Sequence, residues 1–248
     1  MPARRIEIFP NAEVLAEKTA GHVAQTIVRS LQKQERFSLV LAGGSTPKRL
    51  YQILAAEYRD KISWDKLLIF FGDERCVAPD DAESNYKMAY DSMLSQVPVA
   101  RRNIFRLKGE IEPQKAAAEY EATIKSVPGE RPIFDLVLLG LGADGHTASL
   151  FPGSPVLQET SDLVAVVRVE KLTLSRLTLT LPAFNSYAKD IIFLVAGKGK
   201  AEAVQRIFGD EKPPLPAQMI KPDKGKVTYF LDEEAASLLD NETLEKFA

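Results

Sequence analysis

The 248-residue chain is 45% hydrophobic and 27% charged, and its 32 Lys and Arg nearly balance 34 Asp and Glu, for a formal charge of -2. That length buries a sizeable core as a single domain over 1–248, with room for a small subdomain, while the charge balance gives no support to nucleic-acid binding. No apolar run nears the roughly 18 residues that cross a bilayer, PARRIEIF lacks a signal-peptide core, and the lone Cys76 has no internal partner, so a soluble cytoplasmic protein is expected. Two histidines are too few for Cys/His zinc fingers.

Residues 6–9 read as a strand. From Asn11 the period turns helical, with Ala16, Ala20, Val23, Ala24, Ile27 and Leu31 on one stripe. Lys18, His22, Gln25 and Arg29 form the opposite stripe, so His22 is expected to be solvated. FSLVLA at 37–42 is almost continuously apolar, as in a strand covered on both faces, and leads through GGST into the helical pattern of PKRLYQILAAEY. LLIFF (67–71), ending at GDER, and FDLVLLG (134–140), ending at LGADGH, repeat the strand signal. Further strands are expected at 164–169, 191–195 and 227–231, helical or mixed segments at 84–95, 113–125, 198–208 and 232–246, and a proline-rich connection at 213–222. This rhythm predicts an α/β fold, a mostly parallel sheet with helices on both faces. Glycines and polar residues follow the C-terminal strand ends, where such sheets place their ligands.

In Gly43-Gly44-Ser45-Thr46-Pro47, two glycines permit a tight strand-to-helix turn. Pro47 at the first helical position makes Thr46 the expected N-cap. Free amides, the helix dipole and two hydroxyls would then suit a phosphate, the alternative being an ordinary capped turn. In Asp73-Glu74-Arg75, three charges after an apolar strand imply an exposed strand end. Asp73 is a candidate base or imidazole-orienting group, with Glu74 and Arg75 pairing at the rim; a solvated turn is the alternative. Cys76 reads as a small filler rather than a nucleophile. Gly140-Leu141-Gly142-Ala143-Asp144-Gly145-His146 sets three glycines around the only side chain of the loop that titrates near neutrality, which makes His146 the candidate general acid/base. A zinc site from His146, Asp144 and Asp73 is short of nitrogen and sulfur ligands, so no metal is expected. In RLTLTLP, Arg176, Thr178 and Thr180 alternate with leucines, giving one polar and one core-like face. Lys198 and Lys200 open a helix, where cations are unfavourable without a bound anion.

Taken together, LAGGSTPKRLY, FFGDERCVAPDDAESNY, FDLVLLGLGADGHTASLFPGSP, SRLTLTLP and AGKGKAEAV resemble the 6-phosphogluconolactonases, over roughly residues 8–240. The resemblance implies a three-layer αβα, Rossmann-like core similar to glucosamine-6-phosphate deaminase. The deaminases typically read DEY where this chain has DERC, and lack SLFPGSP. It also implies a phosphate loop at Gly43, Gly44, Ser45 and Thr46, phosphate-clamping Arg176 and Lys200, a catalytic His146 and an active-site carboxylate at Asp73. The implied substrate is 6-phospho-D-glucono-1,5-lactone, hydrolysed without a cofactor. Arg75 or amides of the 140–146 loop are the candidate oxyanion donors. A sugar-phosphate isomerase or deaminase and a non-catalytic sensor are the rival readings, and monomer and homodimer both stay open.

Overall fold

The computed structural model describes residues 4–127, 133–168, 174–209 and 212–247. Its strands are β1 (Arg4–Phe9), β2 (Phe37–Leu41), β3 (Leu67–Phe71), β4 (Asp73–Arg75), β5 (Phe134–Gly140), β6 (Val164–Val167), β7 (Arg176–Leu179), β8 (Ala188–Val195) and β9 (Lys226–Asp232). Its helices are α1 (Ala12–Leu31), α2 (Ser45–Glu57), α3 (Asn85–Ala89), α4 (Pro113–Ser126), α5 (Leu181–Tyr187), α6 (Ala201–Phe208), α7 (Pro216–Met219), α8 (Glu233–Ala236) and α9 (Asn241–Phe247).

Six strands form one parallel sheet in the order β1-β9-β8-β5-β2-β3. All five residues of both β2 and β3 are buried, which is why these runs carry no polar alternation. The chain steps outward from β2 to β3 and then returns to lay β5 on the other flank of β2. That reversal opens a crevice at the C-terminal ends of β2 and β5, the usual ligand position in such sheets. The mostly parallel α/β architecture expected from the sequence is thus observed.

A second sheet, β4-β7-β6, is antiparallel and was not anticipated at β4. Gly72 is the junction between the two sheets. Its amide donates to Leu41 O of the large sheet, and its carbonyl accepts from Leu179 N of the small one. The free edge of β3 is covered rather than exposed. Phe105 N donates to Ile69 O, and the Phe105 ring stacks on Phe70 at 4.9 Å.

Several local expectations need correction. The cap of α2 is Gly44, not Thr46, because a φ of 105° at Gly44 turns the chain into the helix early. The strand expected at 164–169 ends at Val167, and Val169 lies outside the described residues. Segment 84–95 is the short α3 followed by a wide turn over Tyr90–Leu94, and the proline-rich connection contains α7. Thr178 and Thr180 are fully buried, so both faces of β7 are covered. His22 is half-buried, with its ring edge-on to Phe230 at 5.4 Å, and burial pushes its pKa down. The rest of its stripe, Lys18, Gln25 and Arg29, is exposed as expected.

Candidate active site

Two tyrosine hydroxyls clasp the strand ends that frame the crevice. The Tyr51 hydroxyl accepts from Ala42 N and donates to Ala42 O, both at 2.9 Å. Tyr120 treats Phe71 in the same way, at 2.8 Å to N and 3.0 Å to O. Each hydroxyl satisfies a donor and an acceptor that would otherwise be buried unpaired at the point where the chain leaves the sheet. Gly43 and Gly72 follow directly and line the cleft.

The charged triplet after β3 is not at an exposed end. Asp73 and Glu74 are both buried, because the chain passes straight into the second sheet and α3 supplies their partners. Glu74 accepts from Asn85 N at 2.7 Å, Tyr86 N at 2.8 Å, Ser84 Oγ at 2.9 Å and Arg75 N at 2.8 Å. Burial pushes the Glu74 carboxyl up, against these hydrogen bonds, which favour its charged form. The expected Glu74–Arg75 ion pair does not form, since Glu74 is taken up in anchoring α3. Arg75 Nη1 instead donates to Asn85 Oδ1 at 2.9 Å and to Glu83 O. Asp73 Oδ1 accepts from Asn85 Nδ2 at 3.0 Å, and Asp73 Oδ2 from Ser149 Oγ at 2.7 Å. Burial, reinforced by Glu74, pushes the Cys76 thiol up, in keeping with a filler.

The carboxylate that meets the imidazole is Asp144, not Asp73. Asp144 Oδ1 lies 2.5 Å from His146 Nδ1 and accepts from His146 N at 3.1 Å. Burial alone would raise the Asp144 carboxyl, but the hydrogen bonds from the His146 amide and ring bring it below its ordinary value. Gly142 makes room for the pair, since a Cβ there would sit 2.0 Å from His146 Nδ1. The loop engages three of its own amides internally, Gly142 N on His146 O, Gly145 N on Gly142 O and His146 N on Asp144 Oδ1. Beyond it, Ala148 holds a φ of 47°, a strained left-handed position for a residue with a Cβ.

Arg176 stands directly opposite Arg75 in the β4–β7 pairing. Burial first, and the charge of Arg75 second, push the Arg176 guanidinium down. The Nε atoms of both arginines are buried without a hydrogen-bond partner. Gly43, Gly44, Asp73, Arg75, His146, Arg176 and Lys200 all line one cavity of about 210 Å³. Ser45 and Thr46 instead line an adjoining hollow with Arg49 and Asp232. Lys198 is exposed and outside the cleft. The sequence reads Asp81, Ser84, Asn85 and Tyr86 as a polar run able to begin a helix near the pocket, as α3 does from its cap Ser84, but it assigns no individual roles there and nothing to Tyr51 or Tyr120. For the two tyrosines the signal was a hydroxyl in an otherwise apolar helical stripe. Among the described residues, no three His, Cys, Asp or Glu side chains are grouped to hold a metal ion, and no helix is long and apolar enough to cross a membrane.

A parallel sheet whose glycine-ended strands bring a His–Asp pair beside two facing arginines defines an α/β enzyme with an anion-receptive cleft. The family described as glucosamine-6-phosphate isomerases/6-phosphogluconolactonase matches residues 10–229, and the chain belongs to it. It is 38% identical over 244 residues to the 6-phosphogluconolactonase of Synechocystis sp. (strain ATCC 27184 / PCC 6803 / Kazusa), covering 96% of this chain and 99% of that one. It is 36% identical to the probable 6-phosphogluconolactonase 3, chloroplastic, of Oryza sativa subsp. indica, over 94% of this chain and 76% of that protein. The solved structure of 6-phosphogluconolactonase from Trypanosoma brucei superposes with a TM-score of 0.85 at 30% identity, covering 97% of this chain and all of that one. The resemblance carried by the five motifs is therefore a family relationship.

Proposed function

We propose that the protein hydrolyses 6-phospho-D-glucono-1,5-lactone to 6-phospho-D-gluconate, the lactonase step of the oxidative pentose phosphate pathway. The observation that carries this reading is the pair Arg75 and Arg176, each with a buried Nε lacking a partner, in the same cleft as His146. Like charges directly opposite one another across two strands repel, and their burial adds a desolvation cost that an anionic ligand offsets. A phosphate matches two guanidinium forks and the Lys200 ammonium. Gly43 and Gly44 let backbone approach it, and the N-terminus of α2 that they lead into adds a favourable dipole. Relatives that carry the name 6-phosphogluconolactonase supply the rest of the substrate.

With the phosphate held, the lactone carbonyl is presented to His146. Asp144 engages Nδ1, which leaves Nε2 to take a proton from water as it attacks C1. The imidazolium then returns that proton to the ring oxygen as the C1–O bond breaks, while Asp144 balances its charge. Asp73 lies beneath the clamp and partly compensates its positive charge. The carbonyl is already electrophilic, so the steps as written need no cofactor. Product analysis with the lactone, glucosamine 6-phosphate and ribose 5-phosphate tests the reading. Acid release above the spontaneous rate from the lactone alone is expected. Ammonia or a ketose phosphate would redirect it to deamination or isomerisation, and binding without turnover to a sensor.

A further inference from the structure

We infer that Asn85 is a positioning residue that keeps the Arg75 guanidinium available to an anion by standing between it and Asp73. The inference rests on the anion-clamp reading above. Asp73 and Arg75 are two apart on β4 and so project to the same side of the strand. Opposite charges so placed would pair, and pairing would neutralise one arm of the clamp. The Asn85 amide occupies the space between them. Its Nδ2 donates to Asp73 Oδ1 at 3.0 Å and to Asp73 O at 2.9 Å, while its Oδ1 accepts from Arg75 Nη1 at 2.9 Å. A neutral group with a donor at one end and an acceptor at the other is what this position requires, and only a side-chain amide offers both in fixed geometry.

The rest of the structure holds that amide in place. Asn85 is 3% exposed, its backbone N–H is fixed by Glu74 Oε1, and α3 begins at this residue. Gly43 lies flat against it, since a Cβ at position 43 would come within 1.9 Å of Asn85 Oδ1. Ser149 takes the second Asp73 oxygen, so the carboxylate is held away from the guanidinium at both ends. The glycine turn, the carboxylate and the cation are therefore set by one side chain.

The test is inorganic phosphate affinity, read as competitive inhibition of lactone hydrolysis and by calorimetry, in four variants checked for folding by circular dichroism. Asn85→Ser, which removes the spacer, should weaken phosphate binding about tenfold or more. Asn85→Asp keeps the shape but sets a second carboxylate against Arg75, so it should be worse than Asn85→Ser. A purely structural role predicts the opposite order. Adding Asp73→Asn to Asn85→Ser should restore phosphate affinity toward the parent, because the competing charge is gone. Parental affinity in Asn85→Ser, or no recovery in the double variant, overturns the inference; this pair decides the matter even if Asn85→Asp fails to fold. Arg176→Ala separates the two levels. If it leaves phosphate binding intact, the anion-clamp reading itself fails. If it weakens binding while Asn85→Ser does not, only the role of Asn85 fails.

Discussion

Replacing Asp144 with Asn isolates the charge that accompanies proton transfer at His146. The two groups are 2.5 Å apart, and the His146 and Asp144 side chains are 33% and 53% exposed, so water-like screening applies. At bulk-water dielectric, opposite unit charges at that separation attract by about 1.7 kcal/mol. Asn keeps the shape and a neutral hydrogen bond but loses that attraction for the imidazolium, so kcat should fall roughly twentyfold, with little change in KM. His146→Asn removes the proton carrier itself and should cost about 10²–10⁴-fold. Because Asp144 acts only through the ring, Asp144→Asn added to His146→Asn should cost nothing further. Initial rates of acid release from fresh lactone in weak buffer, with spontaneous opening subtracted, measure all three. A folded Asp144→Asn protein with parental kcat, or losses that multiply in the double variant, would refute the pairing as the source of the effect.

Tyr120→Phe leaves a buried N–H and C=O of Phe71 unpaired, so stability should drop by about 2–4 kcal/mol and Tm by roughly 4–16 °C; an unchanged melting curve would show that these backbone groups find other partners. Arg176→Ala and Lys200→Ala should raise KM about ten- to a hundredfold through lost charge-assisted contacts, and parental KM in both would move the clamp elsewhere. The Glu159 carboxyl is held down at about 2 by the Asp162 and Ser161 amides. A carboxyl depressed on folding stabilises fully above its unfolded value and loses that contribution as pH falls through the folded one. The Tm gap between the parent and Glu159→Gln should therefore be present at neutral pH and close between about pH 4.5 and pH 2; a gap independent of pH contradicts it. Exhaustive chelation should leave hydrolysis unchanged, because Asp144 already takes His146 Nδ1 and both Asp73 oxygens have donors. A rate that collapses and returns with one divalent ion would reverse that expectation.

The parts of this protein legible in its sequence are those governed by local periodicity and burial. FSLVL, LLIFF and FDLVLLG announce themselves because a strand buried on both faces must be apolar throughout. The glycines that follow them mark the crevice, because only there does backbone need to turn tightly beside a ligand. His146, Arg176 and Lys200 were identifiable as site candidates for the same reason, each lying just beyond or within a recognisable element. The family resemblance added a substrate to that frame.

Pairing between polar groups distant in the chain was decided only by tertiary structure. GDER looked like a solvated strand end, because a triplet of charges carries no record of the partners that permit its burial. Those partners belong to α3 and its cap Ser84, ten to twelve residues onward, and to Ser149. Asp73 looked like the group that orients the imidazole, yet the nearby Asp144 reaches Nδ1 first, since the loop folds back on itself over Gly142. The sequence assigned nothing to Tyr51 and Tyr120; their rings are core, and it is their hydroxyls that hold the strand ends. A hydrophobic pattern depends on which face a residue occupies, which spacing along the chain reveals. A hydrogen bond depends on distance and direction to one particular atom, which only the assembled fold fixes.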